Sequence, residues 1–120
     1  MGLKNLKILS LSRNNISSLD GVQAVGETLE ELWMSYNNLT NLNGLESLTK
    51  LRVFYISHNR IRDWKDVDRI ADRSSLNELV FAGNPLVEHL EEEDYFKLIA
   101  QRLPNIKKLD GEPIVRLDEK

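Results

Sequence analysis

Leu29-Glu30-Glu31-Leu32-Trp33-Met34-Ser35-Tyr36-Asn37-Asn38-Leu39 carries a spacing of apolar residues that fixes the architecture of the chain. Apolar residues fill its first, fourth, sixth and eleventh places, and asparagine fills the ninth. The same spacing begins again at Leu6, at Leu51 and at Leu76. The ninth-place asparagines are Asn14, Asn37, Asn59 and Asn84, separated by 23, 22 and 25 residues. A period in that range, held through four copies, marks an array in which each unit buries its apolar side against the next.

The pattern L-x-x-L-x-L-x-x-N-x-L is that of the leucine-rich repeat. Places three to six alternate between exposed and apolar side chains, as a strand requires. Leu9 and Leu11, Leu32 and Met34, Phe54 and Ile56, and Leu79 and Phe81 therefore point inward. The turn that follows strands backbone polar groups, and an asparagine carries both a donor and an acceptor with which to satisfy them. The expected fold is an α/β solenoid with a parallel sheet on the concave face and short helical or 3₁₀ return segments. One domain spans 1–120, with repeats near 6–28, 29–50, 51–75 and 76–94, a C-terminal cap at 95–114 and a tail at 115–120.

The return segments carry their own signals. Ile16, Leu19, Val22 and Val25 recur every three residues, as do Leu39, Leu42, Leu45 and Leu48, which suits short 3₁₀ or α turns. In the longer third repeat Asp63 reads as an N-cap with Asp66 in the first turn. Trp64, Val67, Ile70 and Ala71 then form a helical apolar stripe, which places Trp64 in the core. The acidic run from Glu88 to Asp94 reads as a solvated loop leading into a helix N-terminus rather than as a contact for a basic partner. Gly111 stands where the last repeat needs an inward apolar residue, and Glu112 to Lys120 reads as frayed. At the other end Met1 leads straight into the first repeat with no capping element, so Leu3, Leu6 and Ile16 are expected to leave an apolar edge. The expected cause is loss of upstream repeats, the alternative being a natural start at Met1-Gly2 with a partner covering the edge.

Of the 120 residues, 41% are apolar and 29% charged, as in globular domains. A net charge of -3 gives no general reason to expect a nucleic-acid or membrane partner. Without cysteine there is no disulfide or thiolate metal site, and a reducing compartment is the simpler reading. His58 and His89 lack metal-ligand spacing, and no phosphate-binding glycine loop or nucleophile triad appears. Neither catalysis, a cofactor nor a metal is expected.

Function is then sought on the sheet. Places three and five of each strand face outward: Ile8 and Ser10, Glu31 and Trp33, Val53 and Tyr55, Glu78 and Val80, with Lys108 on the final strand. Trp33, Tyr55 and Val80 fall at one place on neighbouring strands and should form a continuous apolar row, with Ile8, Val53 and Tyr36 close by. Aligned aromatics facing solvent are typical of an interface. Glu31 and Glu78 flank the row and are suited to setting register with a basic partner.

The segment Thr28-Leu29-Glu30-Glu31-Leu32-Trp33-Met34-Ser35-Tyr36-Asn37 closely resembles the leucine-rich-repeat light chains of axonemal outer-arm dynein. Leu6 to Asn14, Leu51 to Asn59, Ala82-Gly83-Asn84-Pro85-Leu86 and Arg102 to Gly111 agree with that family in order and spacing. The resemblance implies a non-catalytic subunit of a ciliary motor, located in the cytoplasm and the axoneme. It implies binding to a dynein heavy chain at the microtubule-binding domain on its stalk, through the sheet face, with direct contact to tubulin left open. It further implies a role for basic residues of the tail, for which Arg116 and Lys120 are the candidates. The alternative is a phosphatase-regulating or RNA-particle scaffold of the same repeat class.

Overall fold

The computed structural model describes residues 5–116; Leu3 and Lys120, named above, lie outside them. Five parallel strands follow one another in chain order: β1 (Ile8–Ser10), β2 (Glu31–Trp33), β3 (Val53–Tyr55), β4 (Glu78–Val80) and β5 (Lys108–Leu109). A sixth, β6 (Glu112–Pro113), pairs antiparallel with β5. The register repeats without a slip. Ile8, Glu31, Val53, Glu78 and Lys108 are aligned across the sheet, as are Leu9, Leu32, Phe54, Leu79 and Leu109, and Ser10, Trp33, Tyr55 and Val80. Because side chains alternate along a strand, the middle residue of each triplet is core and the outer two share the concave face.

The returns follow the spacing of their apolar residues. Val22–Val25 and Leu45–Ser47 are 3₁₀ turns. The third return is a helix, α1 (Trp64–Ala71), whose N-cap Asp63 accepts a hydrogen bond from the Lys65 amide at 3.0 Å. Val67 and Ile70 are buried, whereas Trp64 is only half-buried against the core. Asp66 does more than favour the helix dipole. It is 4% exposed and accepts from the Leu42 amide at 2.9 Å, which ties α1 to the preceding repeat. The fourth return is α2 (Glu92–Arg102), with Glu92, Glu93 and Asp94 in its first turn. Arg102 connects the two helices: its guanidinium lies 4.6 Å from the Trp64 ring centroid and 3.2 Å from the Asp68 carboxylate.

The inter-repeat ladder is built by three asparagines in the same way. Asn59 donates to Met34 O at 3.0 Å and to Ile56 O at 3.2 Å, and accepts from the Leu39 amide at 2.9 Å. Asn37 joins Leu11 O, Met34 O and the Ile16 amide, and Asn84 joins Ile56 O, Phe81 O and the Ile61 amide. Each one bonds the strand end of its own repeat, the strand end of the repeat before, and that repeat's return. Asn14 departs from the expected ladder: it is exposed and donates only to Leu11 and Ser12 of its own turn. Among the described residues β1 pairs on one edge only. Leu6, Leu9, Leu11 and Ile16 are half-buried there, whereas Leu29, Leu32 and Leu39 in the next repeat are fully buried.

The C-terminal end closes differently from the expectation of a frayed tail after Gly111. Asp110 and Gly111, at φ 51° and 86°, form the two-residue turn that reverses β5 into β6, a turn that requires positive φ at both positions. Asp110 accepts from the Phe81 amide at 2.8 Å and from the Tyr95 hydroxyl at 2.6 Å. Arg116 donates to the carbonyls of Ala100, Leu103 and Ile106 at 3.2, 3.0 and 2.9 Å. A cation at the end of α2 complements unpaired carbonyls and the helix dipole. Its guanidinium is thus engaged in the cap.

Burial first, and then the Asp110 carboxylate, push the Tyr95 hydroxyl far above the usual phenol range. A group whose folded pKa is raised contributes stability that is complete below the unfolded value and is lost above it. The loss therefore begins near pH ~10, where the unfolded phenol ionises. Tyr95→Phe should lower stability near neutrality by about 1–2 kcal/mol and flatten the alkaline decline. Melting temperatures between neutrality and alkaline pH check this, and identical alkaline profiles for the two proteins would contradict it.

Candidate partner-binding face

Trp33 and Tyr55 stack on the concave face, with ring centroids 5.6 Å apart and planes 12° from parallel. Strict in-register pairing of β2 and β3 sets this geometry, since it leaves consecutive third residues one strand spacing apart. Val80 continues the row as a half-buried residue on β4. At the β1 end Ser10 is exposed, and Ile8 is 51% exposed. Lys108 is exposed on β5. The expectation for Val53 requires revision. It sits in the predicted row but is only 7% exposed, so it offers little contact surface and instead packs between Glu31 and Glu78.

The carboxylates are held rather than free. Glu31 accepts from the Trp33 indole N–H at 3.3 Å, and its other oxygen lies 3.5 Å from Arg52. Arg52 also reaches Glu30 at 3.3 Å, as does Lys7 from the preceding repeat. Hydrogen bonding from Arg52, then from Lys7, holds the Glu30 carboxyl below its usual range. Partial burial, followed by the Glu78 and Glu31 carboxylates, raises the Tyr55 phenol. The start of the strands is therefore acidic, and the aromatic row lies along their ends.

A third line of side chains follows in the turn, and the sequence reading found only one of its members. Tyr36, 44% exposed, stacks on His58 with centroids 4.4 Å apart, and the Arg13 guanidinium lies 4.3 Å from the Tyr36 centroid. All three residues have positive φ, at 62°, 62° and 57°. Each immediately precedes a repeat asparagine and donates its amide to the next repeat at 3.0 Å, to Ser35, Ser57 and Ala82 respectively. The fourth member of the series is Gly83, where a Cβ would lie 2.5 Å from His58 Nδ1. The signal is present in the sequence: residues that precede the repeat asparagines recur at the repeat period, and so fall in one column.

Other features lie elsewhere. An open groove of about 1270 Å³ is lined by Phe96, Ala100, Ile114 and Val115, with Glu91 to Asp94 at its rim. It shares no residue with the concave rows. Among the described residues no group of three or more acidic or histidine side chains is placed to hold a metal ion, and no helix is long and apolar enough to cross a membrane.

Similar solved structures include a chain of the Drosophila melanogaster SNF/U2A' complex, at a TM-score of 0.78 and 21% identity, covering 93% of this chain and 63% of that one. The Mex67 LRR domain from Chaetomium thermophilum gives a TM-score of 0.59 at 22% identity, covering 82% of this chain and 66% of that one. At these identities the likeness is one of fold. The family described as Leucine Rich repeats (2 copies) matches residues 27–69, and Leucine Rich Repeat matches residues 5–23. Dynein axonemal light chain 1 of Danio rerio is 49% identical over 119 residues, covering 98% of this chain and 62% of the relative. The chain is a leucine-rich repeat protein similar in sequence to dynein axonemal light chain 1. Dynein axonemal light chain 1 of Homo sapiens is 48% identical over 98% of this chain and 63% of its own length. That of Chlamydomonas reinhardtii is 46% identical over 94% of this chain and 59% of its own. The chain thus spans about three-fifths of the length of these dynein axonemal light chain 1 relatives.

Proposed function

We propose that this chain is a non-catalytic, protein-binding light chain of axonemal dynein, working in the axoneme of a cilium or flagellum. Its partner in this reading is a dynein heavy chain, held at the microtubule-binding domain on the stalk. The single observation that carries the reading is the solvent-facing row of Trp33, Tyr55 and Val80 on a rigid, in-register sheet. A stacked Trp–Tyr pair presents a large apolar surface whose side-chain freedom is already restricted, which favours an anchoring role. Glu31, Glu78 and Lys108 are the charged contacts around it, with Ile8, Ser10 and Tyr36 at its margins. Binding alters motor engagement to the extent that the light chain prefers one microtubule-affinity state of the stalk head over the other.

The identity of the relatives as dynein axonemal light chain 1 supports the dynein assignment. The RNA-particle alternative is supported by likeness of fold alone, at 21% identity. Titrating the purified chain against a recombinant axonemal heavy-chain microtubule-binding domain, with an RNA-particle partner protein as the competing arm, tests the reading. Saturable binding to the dynein domain alone is expected. Binding only to the RNA-particle partner would overturn it. Tubulin contact is read in the same experiment by adding microtubules with and without the heavy-chain domain.

A further inference from the structure

We propose that the Arg13–Tyr36–His58 column is a carboxylate-recognising flank of the concave face, with Arg13 as the residue that takes an Asp or Glu side chain of the bound partner. This rests on the concave-face reading above and adds the charge pattern and orientation of the partner.

The column is held in place by its surroundings. Three non-glycine residues of the column adopt left-handed backbone, which is uncommon and is kept only where the surroundings enforce it. Here the inter-repeat amide bonds of residues 13, 36 and 58 enforce it, and three side chains are thereby delivered to one line. The Arg13 guanidinium rests over the Tyr36 ring, 4.3 Å from its centroid. His58 supports the other face of Tyr36, and Gly83 leaves room for the imidazole. The column is therefore a packed platform carrying a cation at its end.

Arg13 has no occupation of its own. Among the described residues its guanidinium, like that of Arg62, makes neither a hydrogen bond nor an ion pair, whereas Arg52, Arg60, Arg69, Arg73, Arg102 and Arg116 all engage a carboxylate or a carbonyl; unlike Arg62, Arg13 is seated over an aromatic ring. A guanidinium offers N–H groups that match a carboxylate in two-point geometry. Because Arg13 already rests over the Tyr36 ring, less side-chain freedom is lost on binding.

The rest of the face supplies complementarity. Along the strand direction it runs from Glu31 and Glu78, with Lys108 at the far end of the same row, through aromatic (Trp33, Tyr55) to the cation of Arg13 beside Tyr36. A partner segment that fits has an apolar stripe with basic residues along one side and acidic residues along the other. The reversed arrangement would set like charges against each other on both sides, so the pattern selects one orientation.

The test measures affinity for the recombinant heavy-chain microtubule-binding domain, alongside thermal melting, for Arg13→Gln, Arg13→Glu, Arg13→Lys and Trp33→Ala. Arg13→Gln should weaken binding by roughly 10- to 100-fold. Arg13→Glu should weaken it further, and Arg13→Lys should restore only part, since it keeps the charge and loses the fork. Melting should stay unchanged, because Arg13 is exposed. Tyr36→Ala, which removes the platform, should weaken binding in the same direction as Arg13→Gln. If Arg13→Glu binds like the parent while Trp33→Ala loses binding, the concave interface stands and the carboxylate flank is overturned. If Trp33→Ala also binds normally, the concave interface itself falls and the flank with it.

Discussion

Asn59→Asp should lower the stability of the chain by about 2–4 kcal/mol, a fall in melting temperature of roughly 10 °C. Asn59 is 6% exposed, and its amide N–H groups face the carbonyls of Met34, Ile56 and Ser57. A carboxylate there would aim an unpaired negative charge at three acceptors, although its other oxygen would still accept from the Leu39 amide. Asn14→Asp provides the control. Asn14 is exposed and bonds only within its own turn, so its loss should be well under half as large. The two substitutions are chemically identical, and burial within the ladder is what separates them. Equal melting temperatures for the two variants would contradict the ladder as the element joining the repeats.

Trp33→Ala should weaken heavy-chain binding by roughly 30- to 1000-fold, the range expected when a central aromatic anchor is removed. The fold should change little, because Trp33 faces out of the sheet and packs mainly on Tyr55. Trp64→Ala should do the reverse. Trp64 packs on the core from the first turn of α1 and carries Arg102 over its ring, so its loss opens a cavity and loosens α1 from α2. Because Trp64 is half-buried rather than enclosed, its cost should fall toward the lower end of the ~3–5 kcal/mol typical of such truncations. Binding and melting measured together separate the roles. A Trp33→Ala protein that binds normally, or that melts as low as Trp64→Ala, would contradict the assignment.

The strand register is legible from the four copies that begin at Leu6, Leu29, Leu51 and Leu76, because a period-2 pattern repeated at nearly constant intervals leaves no freedom in how strands align. The rows containing Glu31 and Trp33 therefore formed as expected. Val53 was misjudged as contact surface because spacing gives direction but not crowding. A β-branched residue between two longer glutamates has little area left. The Asp110–Tyr95 bond and the Arg116 contacts lay beyond reach for another reason. Both join α2 to the terminal hairpin, which belongs to no repeat, so periodicity carried no information about them. The column at residues 13, 36 and 58 is periodic but hidden in the sequence, because its side chains differ in type. Its common factor is backbone conformation, which the residue names Arg, Tyr and His conceal.

The most direct measurement of the central claim is amide hydrogen exchange of the chain, alone and saturated with a recombinant axonemal heavy-chain microtubule-binding domain. The proposed interface predicts new protection confined to the strand ends and following turns, at residues 31–36 and 53–58, extending to residue 13. It predicts no change in α1 or α2. Protection falling on α1 and α2, with the concave strands exchanging as they do in the free protein, would contradict it.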